Sequence, residues 1–271
     1  MSAAREKLKS ARRIVVKVGT STLSYGEHGK FKLNLYRIEH LVRELVDLHN
    51  AGKEIILVSS GAIAAGIGKL GLSEKPQTIP ENQALAAIGQ GVLMHIYEKF
   101  FAEYGQTMAQ LLLTKDSAVD EHARENSRNS LMTLLQMDVI PVINENDAVA
   151  TDEIRIGDND NLSALVAEMI DAEVLIILTD IDGLYNGNPK IDADAKIIHE
   201  VAEITPEIER IAGGAGTKLG TGGMFTKIQA AKIAVQNGIT MLIVNGKEIG
   251  NLRRVLNGEE IGTVFVNEER N

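Results

Sequence analysis

The sequence predicts an α/β protein with a central, mostly parallel β-sheet, and three observations carry that prediction. Short runs rich in Val and Ile recur along the chain, they are apolar at successive positions rather than alternate ones, and a longer stretch of helical periodicity separates most of them. A strand that is apolar on both sides must be covered on both, and interleaved helices are the cover that parallel crossovers supply. At 271 residues the chain can bury a large core. One domain over 1–271 is expected, with a soft internal division near 172 between a half holding polar clusters and a half holding glycine-rich loops.

Taken in order, strands are expected over 14–18, 54–58, 108–113, 139–143, 174–178, 239–244 and 263–266. Between the first two, Leu35, Ile38, Leu41, Leu45 and Leu48 recur at helical spacing, with Asn34 placed to cap the start and Gly52 near the stop. The same pattern predicts helices near 61–70, 84–104, 127–137, 160–171, 224–237 and 248–257. The five prolines are dispersed, and no repeat or Pro-rich linker divides the chain.

Composition narrows the function. Lys+Arg of 28 against Asp+Glu of 37 gives a net charge of −9, which argues against broad nucleic-acid or anionic-membrane surfaces. No apolar run approaches the roughly 20 residues of a membrane span. Residues 1–13 are charged and lack a secretory core, so a cytoplasmic location is expected. Without cysteine there is no disulfide, no thiol nucleophile and no Cys-ligated metal. The six histidines are scattered with no i,i+4 pair, which disfavours a histidine metal site.

Four consecutive polar residues, Asp158, Asn159, Asp160 and Asn161, stand at the expected mouth of a helix. A single Asp or Asn is enough to cap a helix. The excess, with a second cluster at Asn144, Glu145, Asn146 and Asp147, points to a substrate or metal-phosphate site. A calcium loop fits poorly, because counting from Asp158 its fifth and twelfth positions fall on Leu162 and Met169.

Small-residue turns follow several strands. Lys17 and Gly19 end the first strand, where backbone N–H groups and one cation can meet phosphate oxygens; an ordinary turn with a solvated lysine is the plain alternative. Ser60 and Gly61 open a helix rich in Ala and Gly, either as an anion pocket or for close packing of helix on sheet. Residues 213–227 carry six glycines and run into a helix bearing Thr226 and Lys227, which a plain linker would not need. Thr179 and Asp180 lie just past a buried strand's carboxyl end, where open α/β sheets bind ligands. Neither a P-loop nor a Gly-x-Gly-x-x-Gly after the first strand is present.

In sequence order, the blocks around Lys17, Ser60, Asn144–Asp147, Asp158–Asn161, Thr179–Asp180 and Gly220–Lys227 resemble those of the glutamate kinases within the amino acid kinase family, over about 13–266. The resemblance implies a three-layer α/β/α sandwich and transfer of the ATP γ-phosphoryl group to the γ-carboxylate of L-glutamate. It implies catalytic roles for Lys17, Asp160 and Lys227, and acceptor binding by Ser60, Gly61, Asn144, Asp147, Asp158 and Asn159. ATP would be held by Lys17, Gly19, Thr179, Asp180, Thr221, Gly222, Gly223, Met224, Phe225, Thr226 and Lys227. Mg²⁺ would ride on the ATP phosphates without protein ligands of its own. L-Proline as feedback inhibitor and a homo-oligomer, dimer or tetramer, are further implications. Many bacterial relatives continue into a C-terminal PUA domain, and none is expected in a chain that stops at Asn271.

The chemistry agrees with these residues. A glutamate γ-carboxylate, with a reference pKa of about 4.3, is already ionised at neutral pH and needs no general base. Its difficulty is the approach of an anion to a polyanion, which two lysines and a metal relieve. Two competing readings are a kinase for another small acid, acetylglutamate or aspartate, and a catalytically silent sensor. A dinucleotide oxidoreductase lacks its glycine fingerprint and a hydride-transfer acid.

Overall fold

The computed structural model describes residues 3–25, 31–114, 120–149, 159–189, 191–192, 194–213, 223–248 and 250–266. The first half runs α1 (Ala3–Ser10), β1 (Arg13–Val18), α2 (Thr20–Leu23), α3 (Leu35–Asn50), β2 (Glu54–Ser59), α4 (Ala62–Leu70), α5 (Ile79–Glu103), β3 (Met108–Leu113), α6 (Glu121–Gln136), β4 (Ile140–Glu145) and α7 (Asn159–Met169). The second runs β5 (Val174–Thr179), β6 (Leu184–Tyr185), β7 (Ile197–Ile198), β8 (Glu200–Val201), α8 (Pro206–Ile211), α9 (Met224–Gln236), β9 (Thr240–Asn245), α10 (Asn251–Leu256) and β10 (Thr263–Phe265).

Eight strands form one sheet in the order β3-β4-β2-β1-β5-β9-β10-β8, and β6 pairs with β7 in a separate hairpin. Neighbours in the large sheet are parallel except β9 and β10. The mostly parallel sheet and the sandwich are therefore as expected, with two reversed strands, β10 and β8, at the far edge. Because β2 and β5 flank β1 on opposite sides, the chain reverses its direction of winding there, and the carboxyl ends of these strands line the crevice where such sheets take ligands.

Strand parity sorts the sheet into two cores. Ile14, Val16 and Val18 pack with Leu8 of α1, with α3, α5 and α10. Val15, Ile56, Val58, Leu175 and Ile177 pack on the other side with α7 and α9. Lys17 shares the parity of Val15, so it enters the α7–α9 layer although the residues around it are apolar.

The departures from the expected elements have physical reasons. Helix α5 starts at Ile79 rather than near 84, because Pro80 sits in its first turn where a missing N–H costs nothing. Helix α6 starts at Glu121 rather than 127; Asp120 caps it by accepting from the Ala123 N–H, and its polar first turns carry no apolar period. Helices α2 and α8 and strands β6 to β8 are too short to leave one. The charged segment 3–10 forms α1 because Arg5, only 2% exposed, donates to the carbonyls of Glu259, Ile261 and His199 at 2.7, 3.1 and 3.1 Å.

The Ala/Gly-rich α4 packs closely on α5 rather than serving a helix-to-sheet contact. A Cβ built on Gly66 would collide with the Leu85 carbonyl, and one on Gly89 with the Ala62 carbonyl. No helix among the described residues is long and apolar enough to cross a membrane.

Candidate active site

The structure brings Lys17, Asp160 and Lys227 together from three elements. Lys17 comes from the end of β1, Asp160 from the first turn of α7 and Lys227 from the first turn of α9. The Lys17 ammonium lies 2.6 Å from Asp160 Oδ1 and the Lys227 ammonium 3.1 Å from Oδ2, so one carboxylate holds both cations, one on each oxygen. All three side chains are buried. Thr226 Oγ1 adds a 2.7 Å bond to Asp160 Oδ2.

Burial alone would raise the Asp160 carboxyl, but the charges of Lys17 and then Lys227 outweigh it and hold that group well below the usual carboxylate range. Burial lowers Lys227, with Asp160 pulling it back up and Lys17 pushing it further down. Two cations against one carboxylate leave a local charge of +1, a centre suited to an anion.

Beside it, Asn159 starts a neutral network. Its Nδ2 donates to the Ser59 carbonyl at 3.1 Å, to Ser60 Oγ at 3.0 Å and to Asn144 Oδ1 at 3.0 Å. Asn144 Oδ1 also accepts from the Glu145 N–H at 2.9 Å, and Asn144 Nδ2 donates to Gln90 Oε1 at 2.7 Å. Gly61 takes φ of 106°, a left-handed conformation that glycine adopts without strain, and so turns the chain from Ser60 into α4. Asp147 is half-buried, and one of its oxygens is buried with no hydrogen-bond partner among the described residues. Burial pushes its carboxyl up to about 6, against the pull of Lys75.

The expected nucleotide residues divide. Thr179 is buried at the end of β5, and its hydroxyl lies 3.4 Å from Asp180, whose other oxygen is 3.7 Å from the Lys247 ammonium. The Gly19 N–H donates to the Leu178 carbonyl, tying the β1 turn to β5. Gly223 precedes α9, which Met224, Phe225, Thr226 and Lys227 begin. Thr226 is engaged with Asp160 and the Gly223 carbonyl. Asp158, Thr221 and Gly222 lie outside the described residues.

Gln90 was missed, because a lone glutamine between two glycines on a helix carries no cluster signal and its partner Asn144 is 54 residues away. A search for polar residues flanked by glycine on the helix facing Ser60 could have flagged it.

Together, the parallel sandwich and a lysine pair at its switch point define a class of phosphoryl-transferring proteins, and the chain belongs to the amino acid kinase family, which it matches over residues 12–245. It is 59% identical over 261 residues to the glutamate 5-kinase of Clostridium tetani, covering 96% of this chain and 97% of that one. It is 55% identical over 266 residues to the glutamate 5-kinase of Clostridium perfringens, covering 97% and 98%. With the glutamate 5-kinase of Moorella thermoacetica it shares 56% over 262 residues, covering 97% of this chain and 68% of that one. Among solved structures, a UMP kinase from Bacillus anthracis superposes with a TM-score of 0.63 over 95% of this chain and 97% of that chain, at 14% identity, a likeness of fold alone.

Proposed function

We propose that the chain transfers the γ-phosphoryl group of ATP to the γ-carboxylate of L-glutamate, giving γ-glutamyl 5-phosphate and ADP, the first step of proline biosynthesis. The observation that carries this is the seating of Lys17 and Lys227 on the two oxygens of Asp160. High identity to glutamate 5-kinases over nearly the whole chain supports the acceptor.

A γ-carboxylate oxygen forms a bond to the γ-phosphorus while the bond to the β-phosphate oxygen breaks. The nucleophile arrives ionised, so no side chain has to remove a proton. What the residues supply is positive charge placed in advance: one ammonium from the sheet and one from α9, both fixed by Asp160 before substrates arrive. Such preorganised charges act on the transition state without reorganising. Ser60, Gly61, Asn144, Asp147 and Asn159, with Asp158, form the acceptor side in this reading. Lys17, Gly19, Thr179, Asp180 and the loop through Thr221, Gly222, Gly223, Met224, Phe225, Thr226 and Lys227 form the nucleotide side. The division near 172 then separates an acceptor-binding half from an ATP-binding half of one domain.

Mg²⁺ enters with ATP. The Asp160 carboxylate is engaged by two lysines and would not serve as its ligand, so the ion would ride on the ATP phosphates and offset their charge. The unpartnered Asp147 oxygen favours an acceptor with a free α-ammonium over an N-acetylated one. Competition by L-proline, a cytoplasmic location and assembly into a dimer or tetramer belong to the same proposal.

Hydroxylamine trapping with ATP, Mg²⁺ and L-glutamate tests it. Glutamate-dependent γ-glutamyl hydroxamate is the expected product, and its absence with acetylglutamate or aspartate supporting turnover instead would reassign the acceptor.

A further inference from the structure

The orientation of each amide in the Asn159–Asn144–Gln90 chain follows from two backbone groups. The Glu145 N–H can only donate, so the atom of Asn144 facing it is the oxygen, and the Asn144 nitrogen faces Gln90. The Ser59 carbonyl can only accept, so the atom of Asn159 facing it is the nitrogen. Turning either Asn over would set oxygen against oxygen or hydrogen against hydrogen.

Two consequences run to the ends of the chain. Gln90 must present Oε1 to Asn144, which leaves its Nε2 as a buried donor with no partner among the described residues. Asn159 is left with a buried, unpartnered acceptor, Oδ1. Unmet buried polar atoms cost stability, so a converging set of them beside the lysine pair calls for a partner. The network therefore ends in one donor and one acceptor, with the Asp147 carboxylate as a further unpartnered acceptor. That is the complement of an α-amino-acid head group, whose ammonium donates and whose carboxylate accepts.

We propose that Gln90 is the residue that reads the acceptor's α-carboxylate: it donates Nε2 to that carboxylate and, through Oε1, positions Asn144 and hence Asn159 for the ammonium. The proposal rests on the glutamate reading above. It assigns the two halves of the zwitterion to different sides of the network, Gln90 to the carboxylate and Asn159 with Asp147 to the ammonium.

The test uses the full chain with Gln90→Glu, which keeps the acceptor atom for Asn144 but replaces the donor by an anion, and Gln90→Met, which fills the same space without either. KM for L-glutamate and for ATP is measured, together with inhibition constants against glutamate for glutarate, which lacks the ammonium, and 4-aminobutyrate, which lacks the α-carboxylate. Both variants are expected to raise the glutamate KM and the glutarate constant by about 10-fold, Gln90→Glu the more. Both leave the ATP KM within about two-fold; Gln90→Glu, which keeps Oε1 for Asn144, also leaves the 4-aminobutyrate constant within about two-fold, whereas Gln90→Met, which loses it, raises that constant as well. Equal losses for glutarate and 4-aminobutyrate in Gln90→Glu, or an unchanged glutamate KM in either variant, overturn the assignment. Should Gln90→Met not fold, Gln90→Glu alone decides, its ATP KM reporting an intact domain. Wild-type protein that forms no γ-glutamyl hydroxamate refutes the glutamate reading itself, whereas wild-type turnover with indifferent Gln90 variants refutes only this inference.

Discussion

Asn159 and Asp160 are adjacent in the first turn of α7, yet they organise opposite kinds of site. Asp160 is saturated: both oxygens are engaged by ammonium groups and one also by Thr226. Asn159 is unsaturated: the two hydrogens of its nitrogen are shared among three acceptors while its oxygen is unspent. The contrast separates two demands on an enzyme. Charge that must act in the transition state is best fixed before substrate arrives, whereas groups that recognise a substrate must keep valences open for it.

The largest effect should come from breaking the saturated side. Asp160→Ala removes the carboxylate that two buried ammonium groups share and is expected to cost about 3–5 kcal/mol of stability as well as activity, read by denaturant unfolding. A stability loss below about 1 kcal/mol would mean that the lysines do not depend on that carboxylate.

Lys17→Ala or Lys227→Ala should keep the fold and lower kcat by about 100-fold or more, by analogy with removal of one oxyanion-hole donor. Wild-type turnover by either purified variant removes it from the mechanism.

On the unsaturated side the expected change is in binding. Asp147→Asn should raise the glutamate KM about 10-fold or more with little change in the ATP KM. Because burial raises Asp147 to about 6, the free enzyme's kcat/KM for glutamate should fall below about pH 6 as the carboxylate takes up a proton. The sign for stability is the reverse: a folded pKa above the unfolded value favours the fold at low pH and loses that contribution as pH rises through about 6. Asp147→Asn should therefore raise the apo melting temperature at pH 8 and not at pH 4, and a raised value at both would assign the effect to packing.

The smallest expected effect is a control on the scaffold. Gly91 faces open space on α5, so Gly91→Ala should stabilise by about 0.5–1 kcal/mol, whereas Gly89→Ala, two residues away, should destabilise by about 1–3 kcal/mol or more. Equal melting temperatures for the pair would contradict the close α4–α5 crossing.

How legible each region was follows from the same contrast. The parallel sheet could be read because its strands are apolar on both faces; Lys17 stood out at the turn ending the first strand, Asp160 in a polar cluster at a helix mouth and Lys227 where a glycine-rich loop enters a helix, while their catalytic roles came from the resemblance. The neutral network was half legible. Asn144, Asp147 and Asn159 sit in dense polar clusters, but Gln90 gains its meaning only when α5 is laid beside the end of β4 and meets Asn144, 54 residues away. The N-terminal helix was hidden for a similar reason, since Arg5 reads as surface charge until the carbonyls near residues 199 and 259–262 surround it.

The glycine crossing of α4 and α5 also fixes a spacing. Gly89, which abuts the Ala62 carbonyl, is the neighbour of Gln90, and Ala62 follows Ser60 and Gly61 directly. The gap across which the amino-acid head group would be gripped is thus gauged by main chain meeting main chain, with no side chain in between to trim or enlarge. Efforts to retarget this protein to bulkier acceptors should find that dimension rigid and the far, phosphoryl-accepting end of the molecule easier to remodel.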